Sequence, residues 1–200
     1  MWSYEKKLQY PVNIKEPNPK LAQVIISQFG GPDGELAASM RYLSQRYSMP
    51  YRQVMGTLTD IGTEELGHLE MVGTIVFQLT RNLSPAEIVE SGFDKYYIDH
   101  TTGVWPQAAG GIPFNACEFQ CKGDPITDLV EDLAAEQKAR STYDNILRLV
   151  KDHDVADPIR FLRQREIVHF QRFGEALRIV QDKLDEKNFY AINPAFDCQQ

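Results

Sequence analysis

Two Glu-x-x-His steps, Glu65-Leu66-Gly67-His68 and Glu166-Ile167-Val168-His169, each lie inside a run of apolar residues at helical spacing. Residues three apart share one face of a helix, so each step aims a carboxylate and an imidazole in the same direction. The flanking pattern says that this direction is inward. Val54, Leu58, Ile61, Glu65, His68, Val72, Ile75 and Leu79 form one seam, and Ile159, Leu162, Glu166, His169, Phe173, Ala176, Val180 and Leu184 form the other. Acids at core positions restrict the fold to one that compensates their burial. Two such helices, brought together with one inward Glu on each of two more, supply the donors of carboxylate-bridged dinuclear metal bundles.

The chain supplies those two acids. A seam of alternating three- and four-residue steps runs from Leu21 through Gln28, Gly31, Glu35, Ala38, Tyr42 and Gln45 to Met49. The cluster Gly30-Gly31-Pro32-Asp33-Gly34 interrupts it, which leaves two helices or one bent helix whose small residues admit another backbone; the seam favours a bent or rejoined helix. The second helix spans roughly 51–80. Asp124-Pro125 caps a third over 125–151, with Leu129, Leu133, Glu136, Arg140, Tyr143, Leu147 and Val150 as its seam, and Asp157-Pro158 predicts the start of a fourth over 158–187. Between them, residues 81–123 lose the period and collect Gly and Pro, with a capping-box start at Ser84-Pro85-Ala86-Glu87 for one short helix. A connection this long fits a crossover between the second and third helices, which then run parallel. Residues 1–18 read as an extended surface arm and 188–200 as a draping tail. The expected fold is therefore an all-α, ferritin-like four-helix bundle forming a single domain over residues 1–200.

Composition narrows the function classes. Lys and Arg total 21 against 28 Asp and Glu, a net charge of −7 that repels phosphate backbones and argues against a nucleic-acid partner. Neither a secretory signal nor an apolar stretch of about 18 residues is expected, so synthesis in the cytoplasm and no membrane partner follow. Cys117, Cys121 and Cys198 are too few for a disulfide framework and read as ordinary thiols. His100 and His153 fall in expected loops and read as surface residues.

Ionised Glu35, Glu65, Glu136 and Glu166 in one core would cost many kcal/mol or take up protons, and a pair of divalent cations removes that conflict. Oxygen and nitrogen donors without thiolate suit manganese or iron better than copper or structural zinc. Tyr42, two turns after Glu35 on the same face, is either a core aromatic or a hydrogen-bond donor to a ligand carboxylate.

Four segments resemble the non-haem manganese catalases: Phe29-Gly30-Gly31-Pro32-Asp33-Gly34-Glu35, Tyr42-Leu43-Ser44-Gln45, Thr63-Glu64-Glu65-Leu66-Gly67-His68-Leu69-Glu70-Met71 and Arg165-Glu166-Ile167-Val168-His169. The opening Trp2-Ser3-Tyr4-Glu5-Lys6-Lys7-Leu8-Gln9-Tyr10-Pro11 is similar to the short spore-coat, CotJC-type branch. The resemblance implies metal ligands Glu35, Glu65, His68, Glu136 and His169, with Glu65 or Glu136 bridging two manganese ions. It implies Glu166 as an uncoordinated proton acceptor and donor, where spacing alone makes it a ligand, and Tyr42 as the tyrosine behind the ligands. The implied reaction is disproportionation of hydrogen peroxide to water and dioxygen, in a homo-oligomer carried in the spore coat among other coat proteins.

Two features depart from that pattern. Ala135 stands where full-length manganese catalases can carry an Arg, and the chain stops short of the long C-terminal extension that helps hold calcium in them. Two rivals share the ligand set: a di-iron ferritin-like oxidase or peroxidase, and a coat building block that keeps metal only for stability. The absence of any Cys-x-x-Cys pair removes the rubredoxin-like electron donor that a rubrerythrin needs.

Overall fold

The computed structural model describes residues 3–98, 103, 105–118 and 120–186, all helix, turn and loop apart from one isolated β-bridge, Gln107 with Pro113. The helices are α1 (Pro19–Ile25), α2 (Ser27–Gly30), α3 (Glu35–Gln45), α4 (Arg52–Thr80), α5 (Pro85–Ser91), α6 (Asp94–Ile98), α7 (Pro125–Leu149) and α8 (His153–Glu186). The bundle consists of α3, α4, α7 and α8. Its tightest pairings are α3 with α4 and α7 with α8, and α4 against α8 with α3 against α7 closes the ring. Gln45 at the end of α3 donates to the carbonyl of Gln120 at 3.0 Å, and a Cβ on Gly123 would meet Ser48 at 3.7 Å. The start of α7 therefore lies beside the start of α4, and the two helices run parallel, as a crossover requires.

Three expectations about boundaries are corrected. The first bundle helix is not continuous: it breaks at Gly31–Gly34, and Glu35 becomes the first residue of α3. Pro32 has no N–H with which to continue the helix, and the crossover presses on the last residue of α2. A Cβ on Gly30 would lie 2.2 Å from the backbone nitrogen of Gln107, so only glycine admits that strand of chain. The inward seam nevertheless survives the break, since Gln28, Glu35, Tyr42, Gln45 and Met49 are all buried. Next, α8 begins at His153, ahead of Asp157-Pro158. Asp152 is the true cap, accepting from Asp154 N at 2.9 Å through its side chain, and buried Val155 and Ala156 hold the added turn on the core. His153 is thus helical, though exposed as expected. Finally, the buried stripe of α7 passes through Asp132 and Ala139 as well as Leu129, Glu136 and Tyr143, while Leu133, Arg140, Leu147 and Val150 are only partly buried. A polar core residue such as Asp132 is invisible to a hydrophobic pattern.

Most other elements match the expectations. The capping box at Ser84 and Glu87 is formed, and α5 is followed by the additional short α6. The N-terminal arm is extended, but it is not confined to the surface: Ile14 is buried in the core, Gln78 accepts from Ile14 N at 2.6 Å and Arg81 donates to the Ile14 carbonyl at 2.7 Å. Cys117 and Cys121 are exposed free thiols. His100, Cys198 and the tail over 188–200 lie outside the described residues.

Two apolar clusters fill the interior. One joins Ile14, Ile25, Val72, Ile75, Leu79, Ile159 and Leu162; the other joins Val54, Leu58, Ile61, Leu129, Phe173, Val180 and Leu184. Between them, at mid-bundle, the core is made of acids, imidazoles and tyrosines.

Candidate metal centre

Each acid reaches this layer from a different helix: Glu35 from α3, Glu65 from α4, Glu136 from α7 and Glu166 from α8, with exposures between 0% and 2%. His68 and His169 are fully buried beside them. Close approach of α3 to α4 helps set the layer. Ser39 donates to the carbonyl of Gly62 at 2.7 Å, and a Cβ on Gly62 would press into Leu43 at 2.9 Å.

Glu65 occupies the middle. Its Oε2 lies 2.6 Å from His68 Nδ1, and its Oε1 lies 2.8 Å from His169 Nδ1. Glu35 stands 3.7 Å from His68 Nδ1, and Glu136 stands 3.6 Å from His169 Nδ1. The imidazole rings lie nearly parallel, 20° apart with centroids separated by 5.5 Å. Glu65, His68, Glu166 and His169 each offer a donor atom within 4.8 Å of the others. Sequence reasoning named all six residues, and the fold brings all six together.

Two tyrosines back the acids. Tyr42 donates to Glu136 at 2.6 Å, and Tyr143 donates to Glu35. Spacing places Tyr143 on the α7 seam and says nothing of this bond, because its partner sits on another helix. Tyr42 also packs on Phe173 at 4.8 Å, so it is core aromatic and hydrogen-bond donor at once. Glu64, beside Glu65 in sequence but turned toward the outside of the layer, was not singled out. Its carboxylate accepts from Arg165 and His169, and a cleft of about 970 Å³ between the N-terminal arm and α4 reaches it.

Electrostatics within the protein alone expose the excess of negative charge. Burial, then the charge of Glu65, raises Glu35 to about 7. Burial, then Glu136, Glu35 and Glu65, pushes Glu166 well above the carboxylate range. Burial would raise Glu65 too, but the charges of His169 and His68 outweigh it and hold Glu65 low. In return His169 is pushed up to about 12 against the opposing effect of burial, mainly by Glu65. The imidazoles serve as cations of last resort here. Metal ions fit the same layer: the donors are carboxylate and imidazole only, and Glu136 Oε2, Glu166 Oε1 and His169 Nδ1 complete no aligned hydrogen bond among the described residues.

The sequence profile of the family described as "Manganese containing catalase" matches residues 1–189. Protein CotJC of Bacillus subtilis is 51% identical over 95% of this chain and 100% of its own length. A probable manganese catalase of Clostridium acetobutylicum is 33% identical over 94% of this chain and 85% of its own. The crystal structure of KatB, a manganese catalase from Anabaena, superposes with a TM-score of 0.83 at 32% identity, covering 90% of this chain and 81% of that one. With a ferritin-like bundle, a buried carboxylate and imidazole layer, and a profile match along nearly its whole length, the chain belongs to the manganese-containing catalase family.

Proposed function

We propose that this protein is a dinuclear manganese catalase converting hydrogen peroxide to water and dioxygen. The observation that carries the reading is the buried layer in which Glu65 offers one oxygen to each of two parallel imidazoles while Glu35, Glu136 and Glu166 crowd beside it. Glu35, Glu65, His68, Glu136 and His169 would hold the two ions, with Glu65 placed between the imidazoles. A manganese pair held there would supply the two-electron redox chemistry that both halves of the reaction need.

The protein's own groups handle the protons. Oxidation of one peroxide to dioxygen releases two protons, and reduction of the next to two waters consumes two. Glu166 lies within the donor cluster with an oxygen that completes no hydrogen bond, so it can hold a proton from the first half-reaction for the second. Tyr42 fixes Glu136 by its hydrogen bond. The apolar clusters on either side restrict the reacting space to small molecules.

The likeness to the CotJC-type branch supports assembly into a spore coat as a homo-oligomer, the whole chain acting as one domain. An oxygen electrode and metal analysis on protein purified from its native cell test the reading. Manganese near two ions per chain with dioxygen release is the expected result. Iron without dioxygen release would favour the ferritin-like oxidase, and bound metal with no peroxide turnover would favour the purely structural coat protein.

A further inference from the structure

Glu64 is one residue from Glu65 on α4, yet it touches the opposite edges of the same imidazoles. Its Oε2 lies 3.1 Å from His169 Nε2 in a hydrogen bond, and its Oε1 lies 3.6 Å from His68 Nε2, an ion-pair distance. Arg165, one residue before Glu166 on α8, grips it with both arms: Nε donates to Oε1 at 2.7 Å and Nη2 to Oε2 at 3.2 Å. One carboxylate, clamped by a planar guanidinium, thus stands behind two stacked rings whose Nδ1 atoms face Glu65. His68 Nε2 finds no hydrogen-bond partner of its own among the described residues, so Glu64 is its nearest anion on that edge.

We infer that Glu64 is a positioning residue for the metal centre, fixing the orientation and tautomer of His169 directly and of His68 by charge, with Arg165 holding Glu64 in place. The inference rests on the metal-centre reading above. A carboxylate only accepts, so the ring nitrogen facing Glu64 keeps its hydrogen and the lone pair is left on Nδ1, the atom turned toward Glu65. An anionic acceptor also makes the imidazole a stronger donor to a cation. Arg165 balances the charge of Glu64 at longer range, so the carboxylate stays an anion to the ring edges it faces while the clamp adds no net negative charge to the crowded mid-bundle. The hydrogen bond is direct to His169 and the distance longer to His68, so the His169 side depends on the clamp more strongly.

The test uses the full chain, titrated with manganese alone in a chelator-buffered solution, and follows the dissociation constants and the rise in melting temperature that manganese produces. Wild-type protein binding a pair of ions with a clear rise is the control; if it binds none, the metal-centre reading fails and this inference falls with it. Given that control, Glu64→Ala is expected to weaken manganese binding by about 10- to 100-fold and to shrink the manganese-induced rise. Glu64→Gln, of the same shape but uncharged, is expected to do the same to a smaller degree, about tenfold, and serves where the alanine variant does not fold. Arg165→Met alone should weaken binding less than Glu64→Ala, and adding it to Glu64→Ala should weaken it no further. A merely structural clamp would lower the melting temperatures of metal-free and loaded protein equally and leave the rise intact. That outcome, or dissociation constants unchanged in both Glu64 variants, overturns the inference, and additive weakening in the double variant overturns the part given to Arg165.

Discussion

On α4 the carboxylate of Glu65 lies between two imidazoles, whereas on α8 the carboxyl of Glu166 faces three other acids. Both belong to the same four-residue step, both are buried to within 2% of full enclosure, and both have a histidine one turn later. Burial alone would raise both. The charges of His169 and His68 reverse the effect for Glu65, and those of Glu136, Glu35 and Glu65 add to it for Glu166. Helical spacing aims a side chain; the three helices facing it decide whether that side chain holds a proton. The same motif can therefore supply a permanent anion on one helix and a proton store on the other.

The comparison breaks first if the shared histidines are removed. His68→Ala with His169→Ala takes away both nitrogen donors and both charges beside Glu65, so manganese content should fall from about two ions per chain to near zero. Tight binding is worth about 4 kcal/mol at a thousandfold excess over the dissociation constant, so the loaded protein should lose about 10 °C of melting temperature. Inductively coupled plasma analysis and calorimetry read both, and retention of two ions would remove the basis for the metal centre. Treating wild-type protein with a chelator should reproduce the thermal loss and reverse on adding manganese. The acids are then separated one at a time. Glu166→Gln should keep its metal and fold but lose about a hundredfold or more of peroxide turnover, the size of a missing general base. Glu65→Gln should lose metal instead. Equal effects on metal content from the two substitutions would erase the distinction drawn between them.

Much of this layer was legible in the sequence because it obeys the period of a helix. Every residue in the seams of α4 and α8 is buried, including Glu65, His68, Glu166 and His169, although Gly62, Met71, Val76 and Thr80 on α4 are buried outside its seam. The period failed where burial is polar or where helices are broken by tertiary need. Asp132 is fully buried on α7 and shifts that stripe, and no apolar count could include it. The crossover backbone at Pro106 and Gln107, far away in sequence, approaches Gly30 at the end of α2, just ahead of the break that precedes Glu35. The start of α8 depended on Asp152 and on Val155 and Ala156 packing inward, against a proline signal that favours a later start. The roles of Glu64 and Tyr143 are hidden for a related reason: each hydrogen-bonds to a group brought by another helix, and spacing within one helix carries no record of that partner.

The smallest effects come from the two tyrosines, and they sharpen the contrast between the acids. Tyr42 donates to Glu136, the acid whose charge weighs most among those acting on Glu166, and Tyr143 donates to Glu35. Replacing either by Phe keeps the ring packing and removes one hydrogen bond to a buried carboxylate, a loss of about 1.5 to 3 kcal/mol before metal compensates. A chain of this size should then melt roughly 3–10 °C lower in metal-free form, and less in the loaded form, where the carboxylates bind cations instead. The two variants should part company in turnover. Tyr42 fixes the acid whose charge weighs most on Glu166, so Tyr42→Phe leaves that neighbour free to shift and should slow oxygen release severalfold. The charge of Glu35 weighs less on Glu166 than that of Glu136, and Tyr143→Phe should change the rate less while costing similar stability. Equal slowing by both would mean that the tyrosines merely stiffen the bundle, and that the proton on Glu166 is indifferent to its nearest acid.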